Sequence, residues 1–211
     1  MIFDCDGVLV DSELITNRIL AAMLNELGVP VTLEELFERF VGRSMAYCNE
    51  LIAGMLQRPL PQDFWDTYRS RTTAAMQAQL QPVPGIEATL DALGAAGVPY
   101  CVASSGSHEK MRTTLGITGL LPRFEGRLFS VTEVARGKPA PDVFLHAAQR
   151  YHMSPQVCSV VEDTPTGVAA GVAAGMRVFG YSALTPSQRL IEAGAHQTFS
   201  TMALLPELLF A

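Results

Sequence analysis

Asp4 and Asp6 stand one residue apart in Ile2-Phe3-Asp4-Cys5-Asp6-Gly7-Val8-Leu9-Val10-Asp11-Ser12, directly after an apolar lead. Side chains on an extended backbone repeat every two residues, so both carboxylates leave on one side and Cys5 on the other. Carboxylates that close repel each other unless a cation lies between them or one holds a proton. A hard divalent cation with oxygen ligands, such as Mg2+, removes the conflict. One carboxylate can then act as nucleophile and the other as proton carrier. An Asp-Gly turn closing a hairpin suits the same residues equally well. The residues after Gly7 weigh against the hairpin: Val8-Leu9-Val10 leads into Asp11-Ser12 and a long helical pattern rather than a second alternating strand.

Three further groups have chemistry to offer, and each has a plain alternative. Ser104-Ser105-Gly106-Ser107 opens a helix, where a serine ordinarily serves as N-cap; the Ser104 hydroxyl and the neighbouring N–H groups can also hold an anion. Lys138, in Gly137-Lys138-Pro139-Ala140-Pro141-Asp142, is either a solvated loop lysine or an ammonium fixed by two stiffening prolines against something it neutralises. Glu162 and Asp163 suit a helix N-terminus through its dipole, or they add oxygen ligands for a cation beside Asp4. His108, His146, His152 and His196 are isolated, show no metal spacing, and read as surface or helix residues.

These groups need elements to bring them together. From residue 13 to about 80 the periodicity is helical throughout: Leu14, Ile15, Ile19, Leu20, Met23, Leu24 and Leu27 recur at three- and four-residue spacing, and Gly28 with Pro30 ends that helix. Thr32 and Glu35 form the pattern of a capping box. After Pro82-Val83-Pro84-Gly85 helices alternate with apolar strands, at Val98–Ala103, Leu128–Val131, Val157–Val161 and Met176–Gly180, with Thr198-Phe199 as an edge strand. Nearly continuous apolar strands separated by helices predict a parallel sheet covered on both faces. Right-handed crossovers set every strand's carboxyl end on one edge, where such sheets bind ligands. Asp4 and Asp6, Ser104, and Glu162 with Asp163 all fall at those ends. The fold class is therefore α/β, a Rossmann-like parallel sheet core (1–12 and 83–211) with an inserted α-helical cap domain (13–82) that hangs over the same edge as a lid.

Composition sets the outer bounds. At 211 residues, 48% hydrophobic and 17% charged, the chain can bury one sizeable core plus a smaller inserted domain. A net charge of −6 without a basic cluster excludes nucleic acid and anionic membrane surfaces as partners, so a bound phosphate must be held locally. Cys5, Cys48, Cys101 and Cys158 have no metal-type spacing and read as reduced thiols, which with the absence of a leader or membrane span makes the cytoplasm the expected location. A monomer is the default. A central strand ordinarily runs about five or six residues, so the three residues before Asp4 lead to the expectation that the strand begins upstream of this sequence.

In order and spacing, Asp4-Cys5-Asp6-Gly7-Val8, Ser104, Lys138-Pro139 and Glu162-Asp163 resemble the four motifs of the haloacid dehalogenase-like phosphohydrolases, and the insert resembles that family's small helical cap. Within the family the run 4–15, Leu128-Phe129-Ser130 with Lys138-Pro139, and Leu205-Pro206-Glu207-Leu208 resemble the bacterial sugar-phosphate phosphatases and β-phosphoglucomutase-type members, the 6-phosphogluconate phosphatase branch in particular. The resemblance implies a Mg2+-dependent hydrolysis of a small phosphate ester. Asp4 would attack phosphorus and form a phosphoaspartate, and Asp6 would protonate the leaving oxygen and then activate water. Mg2+ would sit on the Asp4 carboxylate, the Asp6 carbonyl and Glu162-Asp163; Ser104, Ser105 and Lys138 would hold phosphoryl oxygens. Arg43, in Gly42-Arg43-Ser44, resembles the cap loop that reads the substrate. Two alternatives share the fold. A phosphomutase of the β-phosphoglucomutase type has a histidine where this chain has Thr16, and a dehalogenase needs neither Asp6 nor the Glu162-Asp163 pair.

Overall fold

A computed structural model of the chain describes residues 1–40 and 45–210. Its contacts divide into two compact units, Met1–Asp11 with Gln81–Ala211, and Ser12–Leu80.

The larger unit is built on a parallel sheet of six strands: β1 (Ile2–Phe3), β2 (Cys101–Ser104), β3 (Leu128–Ser130), β4 (Ser159–Glu162), β5 (Arg177–Tyr181) and β6 (Gln197–Phe199). Their spatial order is β3-β2-β1-β4-β5-β6. The chain winds outward from β1 in one direction, then resumes at β4 in the other. The order therefore reverses at β1, the kind of crevice in which open α/β sheets bind ligands. Ile2 and Phe3 pair with Cys101 and Val102 on one side and Val160 and Val161 on the other. With both neighbours present and both faces covered, these positions must be apolar, and Phe3, Val102, Val160 and Val161 are fully buried.

Among the described residues this unit also holds six helices, α5 (Ile86–Ala95), α6 (His108–Ile117), α7 (Asp142–Arg150), α8 (Pro165–Ala173), α9 (Ser187–Glu192) and α10 (Leu205–Phe210). Val143, Phe144, Ala147 and Ala148 of α7 and Val168, Ala170 and Ala174 of the α8 segment pack with the strand residues in one core. Two strands start later than their apolar runs suggest. Pro99 has no N–H for a ladder, and β2 begins at Cys101, whose N–H donates to Met1 O (3.0 Å). Pro155 starts a short 3-10 turn through Val157, so β4 begins at Ser159.

The smaller unit holds α1 (Ser12–Glu26), α2 (Leu33–Arg39), α3 (Met45–Leu56) and α4 (Phe64–Gln79). Leu20, Met23, Leu24, Leu36, Ile52 and Phe64 form its core. The capping box at the start of α2 is formed: the Glu35 N–H donates to Thr32 Oγ1 (3.2 Å), and the Thr32 N–H donates to Glu35 Oε2 (2.8 Å).

The two passages linking the units run side by side within the sheet unit. Val10 pairs with Pro82, the Asp11 N–H donates to Gln81 O (3.1 Å), and the Gln81 N–H donates to Asp11 Oδ1 (2.9 Å). Among the described residues no helix is long and apolar enough to cross a membrane.

Candidate active site at the carboxyl edge of the sheet

The ladder of β1 ends at Phe3, so the extended geometry expected for residues 4–6 holds only at its start. The Asp4 N–H still donates to Val161 O (3.0 Å), and then the chain turns. Gly7 adopts φ 78°, a left-handed conformation that glycine takes without cost. The loop closes through Gly7 N–H to Val10 O (2.8 Å) and Leu9 N–H to Cys5 O (3.0 Å). Asp6 is therefore reached by a turn rather than by strand alternation. Asp4 is buried, while the Asp6 side chain keeps 16% of its exposure.

Lys138 is the hub of the site. Its side chain is 4% exposed, and Nζ donates to Asp4 Oδ1 (2.6 Å), Glu162 Oε1 (2.6 Å) and Ala103 O (3.0 Å). The Phe144 ring lies below the ammonium, 4.8 Å from Nζ to its centroid. A solvated loop lysine is thus ruled out in favour of a desolvated cation between two strand ends. Burial alone would lower its pKa, yet the Asp4 and Glu162 carboxylates outweigh burial and raise it, so the lysine stays charged.

Glu162 closes β4 and has a partner on each carboxylate oxygen. Oε1 receives Lys138, and Oε2 accepts from the Thr164 N–H (3.2 Å) and Oγ1 (3.1 Å). Thr164 in turn caps α8, its Oγ1 accepting from the Gly167 N–H (3.0 Å). Gly167 leaves the space the glutamate occupies, for a Cβ there would fall well inside contact distance of the Glu162 carboxylate. Gly167→Ala is accordingly expected to cost about 1–3 kcal/mol by overpacking, or roughly 2–12 °C in Tm at this chain length. Gly94→Ala is the matched control. Gly94 lies in α5 with open space around its Cβ direction, and there alanine should stabilise by about 1 kcal/mol. Thermal melts decide; equal Tm values for Gly167→Ala and wild type would mean that Glu162 is not held in place.

Asp163 is buried beside Glu162. Asp4, Glu162 and Asp163 each offer a carboxylate oxygen, and these oxygens all lie within 4.8 Å of one another. Burial, the strongest influence, pushes Asp4 up to about 7; Lys138 pulls it down, and the Glu162 and Asp6 carboxylates push it up again. Three carboxylates against one ammonium leave an excess of negative charge that a divalent cation would offset. Hard, buried oxygen donors are also the set that Mg2+ and its like prefer. The residues present therefore fit a divalent metal.

Ser104, at the end of β2, is 1% exposed and accepts the Gly106 N–H on Oγ (3.0 Å). The N-cap of α6 is Ser107, whose Oγ accepts from the Lys110 N–H (3.2 Å), so capping does not occupy Ser104. Ser105 is exposed at the loop tip. Arg43 lies outside the described residues.

Several residues that hold this edge together are not singled out by the motifs. Ser130, at the end of β3, donates from Oγ to Gly106 O (2.7 Å). Glu133 accepts from the Ser130 N–H (2.7 Å), and His108 Nε2 lies 2.9 Å from Glu133 Oε2, with His146 Nε2 at 3.6 Å from Oε1. Two of the isolated histidines thus converge on one carboxylate. Lys110 Nζ donates to Asp6 Oδ2 (2.7 Å). Its one sequence signal is position: it lies six residues after Ser104, in the first turn of α6. All four cysteines are buried free thiols, and burial pushes Cys101 up to about 12, outside the range of a nucleophile at neutral pH.

Comparison with known proteins extends this picture. Residues 1–175 match the family of haloacid dehalogenase-like hydrolases. The chain is 33% identical over 209 residues to a 6-phosphogluconate phosphatase of Escherichia coli (strain K12), covering 98% of this chain and 92% of that protein. A crystal structure of a conserved haloacid dehalogenase-like protein from Agrobacterium tumefaciens str. C58 superposes with a TM-score of 0.92 at 34% identity, over 99% of this chain and 96% of the other. A haloacid dehalogenase-family hydrolase from Deinococcus radiodurans R1, crystallised with bound phosphate and sodium, gives 0.88 at 33% identity, over 99% and 93%.

Proposed function

Because the chain belongs to the haloacid dehalogenase-like hydrolases and is a phosphoric monoester hydrolase, we propose that it is a Mg2+-dependent phosphatase acting on a small phosphorylated sugar or sugar acid through a phosphoaspartate on Asp4. The observation that carries this reading is the buried Asp4 carboxylate held against the Lys138 ammonium inside a cluster of carboxylate oxygens. The activity in the name of the 33% identical relative supports the substrate class.

Asp4, Asp163 and Glu162, with the Asp6 carbonyl, would hold the metal, which supplies positive charge where phosphoryl oxygens gather negative charge. Glu162 does more through Lys138, which it keeps aimed at Asp4. One oxygen of Asp4 attacks phosphorus as the bond to the leaving oxygen breaks. Asp6, in its acid form, delivers its proton to that oxygen. In the second half Asp6 takes a proton from water, the water oxygen bonds to phosphorus, and the Asp4–phosphorus bond breaks. Inorganic phosphate leaves, and Asp4 returns to a carboxylate with the proton again on Asp6. Ser104, Ser105 and Lys138 hold the phosphoryl oxygens, whose spread charge needs positioning and neutralisation more than covalent help. The helical stretch 13–82 is assigned as the cap that selects the leaving group, with Arg43 as its reader. Position 16, where a mutase would carry a histidine, is a threonine bonded within α1 to Glu13 O (3.0 Å), so hydrolysis is preferred to phosphoryl return.

The test is phosphate release from sugar phosphates, sugar-acid phosphates, phosphoglycolate and nucleotides, with Mg2+ and with excess EDTA. Turnover should require Mg2+ and return when it is restored; full activity in chelator ends this reading. The pH dependence is a second check. In the metal-free protein Asp4 titrates near 7 rather than at its ordinary 3.8. A raised carboxyl stabilises the fold below the ordinary carboxylate range, and that contribution is lost as pH rises through the folded value. Metal competes with the same proton, so Mg2+ affinity should fall about tenfold per unit below pH 7 and level off above it. Correspondingly, Mg2+ should raise Tm more at pH 8 than at pH 5. Calorimetric titration across pH 5–8 decides; a constant Kd would remove Asp4 from the metal site.

A further inference from the structure

Lys110 and Asp6 are 104 positions apart in sequence and meet at 2.7 Å. Exposed ion pairs contribute little to stability, ordinarily about 0.2–1 kcal/mol, and the Lys110 side chain is 46% exposed. Stability is therefore a poor reason for this contact, whereas its partner is the carboxylate to which both proton transfers are assigned. The lysine is also aimed. Its N–H is tied to Ser107 Oγ, and its stem runs beside Gly106, where a Cβ would come to 3.2 Å from Lys110 Cδ. The same loop that carries Ser104 thus sets the lane along which this ammonium reaches Asp6.

We propose that Lys110 is a positioning residue for Asp6, fixing the orientation of its carboxylate toward the phosphoaspartate while water attacks. This role rests on the phosphoaspartate mechanism. The ammonium meets the carboxylate at Oδ2, 2.7 Å from Nζ. The arrangement serves the hydrolytic half-reaction, in which Asp6 acts as a carboxylate. The phosphorylation half-reaction with an aryl ester, whose leaving group needs no proton, should hardly depend on it.

Both half-reactions can be timed with p-nitrophenyl phosphate and Mg2+, using rapid mixing for phenolate and acid quench for the phosphoenzyme. Lys110→Met should slow phosphoenzyme decay about tenfold or more while leaving the phenolate burst rate within about threefold. Lys110→Arg, which keeps a cation, should recover most of the loss, and both variants should melt within about 2 °C of wild type. In an Asp6→Asn background Lys110→Met should change decay by less than about twofold, because a residue acting through Asp6 has nothing left to position. Equal losses in the two half-reactions, or the same loss with and without Asp6, would overturn the assignment and make Lys110 a phosphate or substrate contact. Absence of a phosphoenzyme in every variant, wild type included, would instead overturn the covalent reading beneath it, and the Lys110 role with it.

Discussion

Asp4→Asn is expected to lose turnover on alkyl and aryl phosphates alike, by on the order of 10^4-fold or more. The amide oxygen is a poor nucleophile, and the change also removes a charged oxygen from the cluster with Glu162 and Asp163. Lys138 would keep Glu162 as partner, since it bonds both carboxylates, so the fold should survive. The metal-free variant should even hold its own in stability at neutral pH. Burial above all, and then the Glu162 and Asp6 charges, push the wild-type carboxyl up to about 7 against the pull of Lys138, and an amide carries no such penalty. Loss of activity with an unchanged or higher Tm separates a missing nucleophile from a collapsed site. Phosphate release and thermal melts read the two quantities. More than about 1% residual turnover would defeat the covalent mechanism on Asp4, because the attack assigned to that oxygen begins the reaction on every substrate.

The sheet edge was readable from sequence because parallel strands are written as short apolar runs, and the residue after each run must sit at its carboxyl end. Asp4, Ser104 and Glu162-Asp163 come after Ile2-Phe3, Cys101–Ala103 and Val160-Val161 in that way. Lys138 was harder. It lies in a loop after β3, and only the structure shows its stem buried over Phe144 and its ammonium between two strands. Residues that act across the edge left weaker traces. Lys110 lies on a helix whose rotation about its own axis decides whether the side chain meets Asp6 or water, and periodicity does not fix that angle to the needed accuracy. Ser130 and Glu133 form one capping turn after β3, and His108 reaches that turn from the start of α6. Gly167 reads as an ordinary small residue in a small-residue helix, although its missing Cβ is what admits the Glu162 carboxylate. The extended run expected for residues 4–6 fails for a definite reason. Gly7 permits a left-handed turn, and Cys5 and Gly7 use their backbone groups to close the loop rather than extend the ladder.

Asp6→Asn should separate the two carboxylates that share that loop. Its assigned tasks are proton transfers, and their worth depends on the leaving group. An alkoxide leaves a phosphoryl group reluctantly without a proton, so turnover of a sugar phosphate should fall by about 10^2–10^4-fold, the usual range for a removed general acid. A nitrophenolate is stable as an anion, so p-nitrophenyl phosphate should still phosphorylate Asp4 at a rate near that of wild type. Asparagine then offers no base to the attacking water, and the phosphoaspartate should persist. Rapid mixing should therefore show a burst of about one phenolate per site and then slow release, the signature of an accumulating covalent intermediate. Acid quench should recover the phosphoenzyme in the same amount. The site geometry makes the test clean, because Asp6 pairs with Lys110 while Asp4 pairs with Lys138. Removing the Asp6 charge thus leaves the nucleophile's own ion pair standing. If Asp6→Asn shows no burst and loses aryl and alkyl substrates in equal measure, Asp6 orders the loop or the metal instead of moving protons. A burst on the aryl ester with the sugar phosphate nearly inert assigns attack to Asp4 and both proton transfers to Asp6, since only the second carboxylate distinguishes between leaving groups.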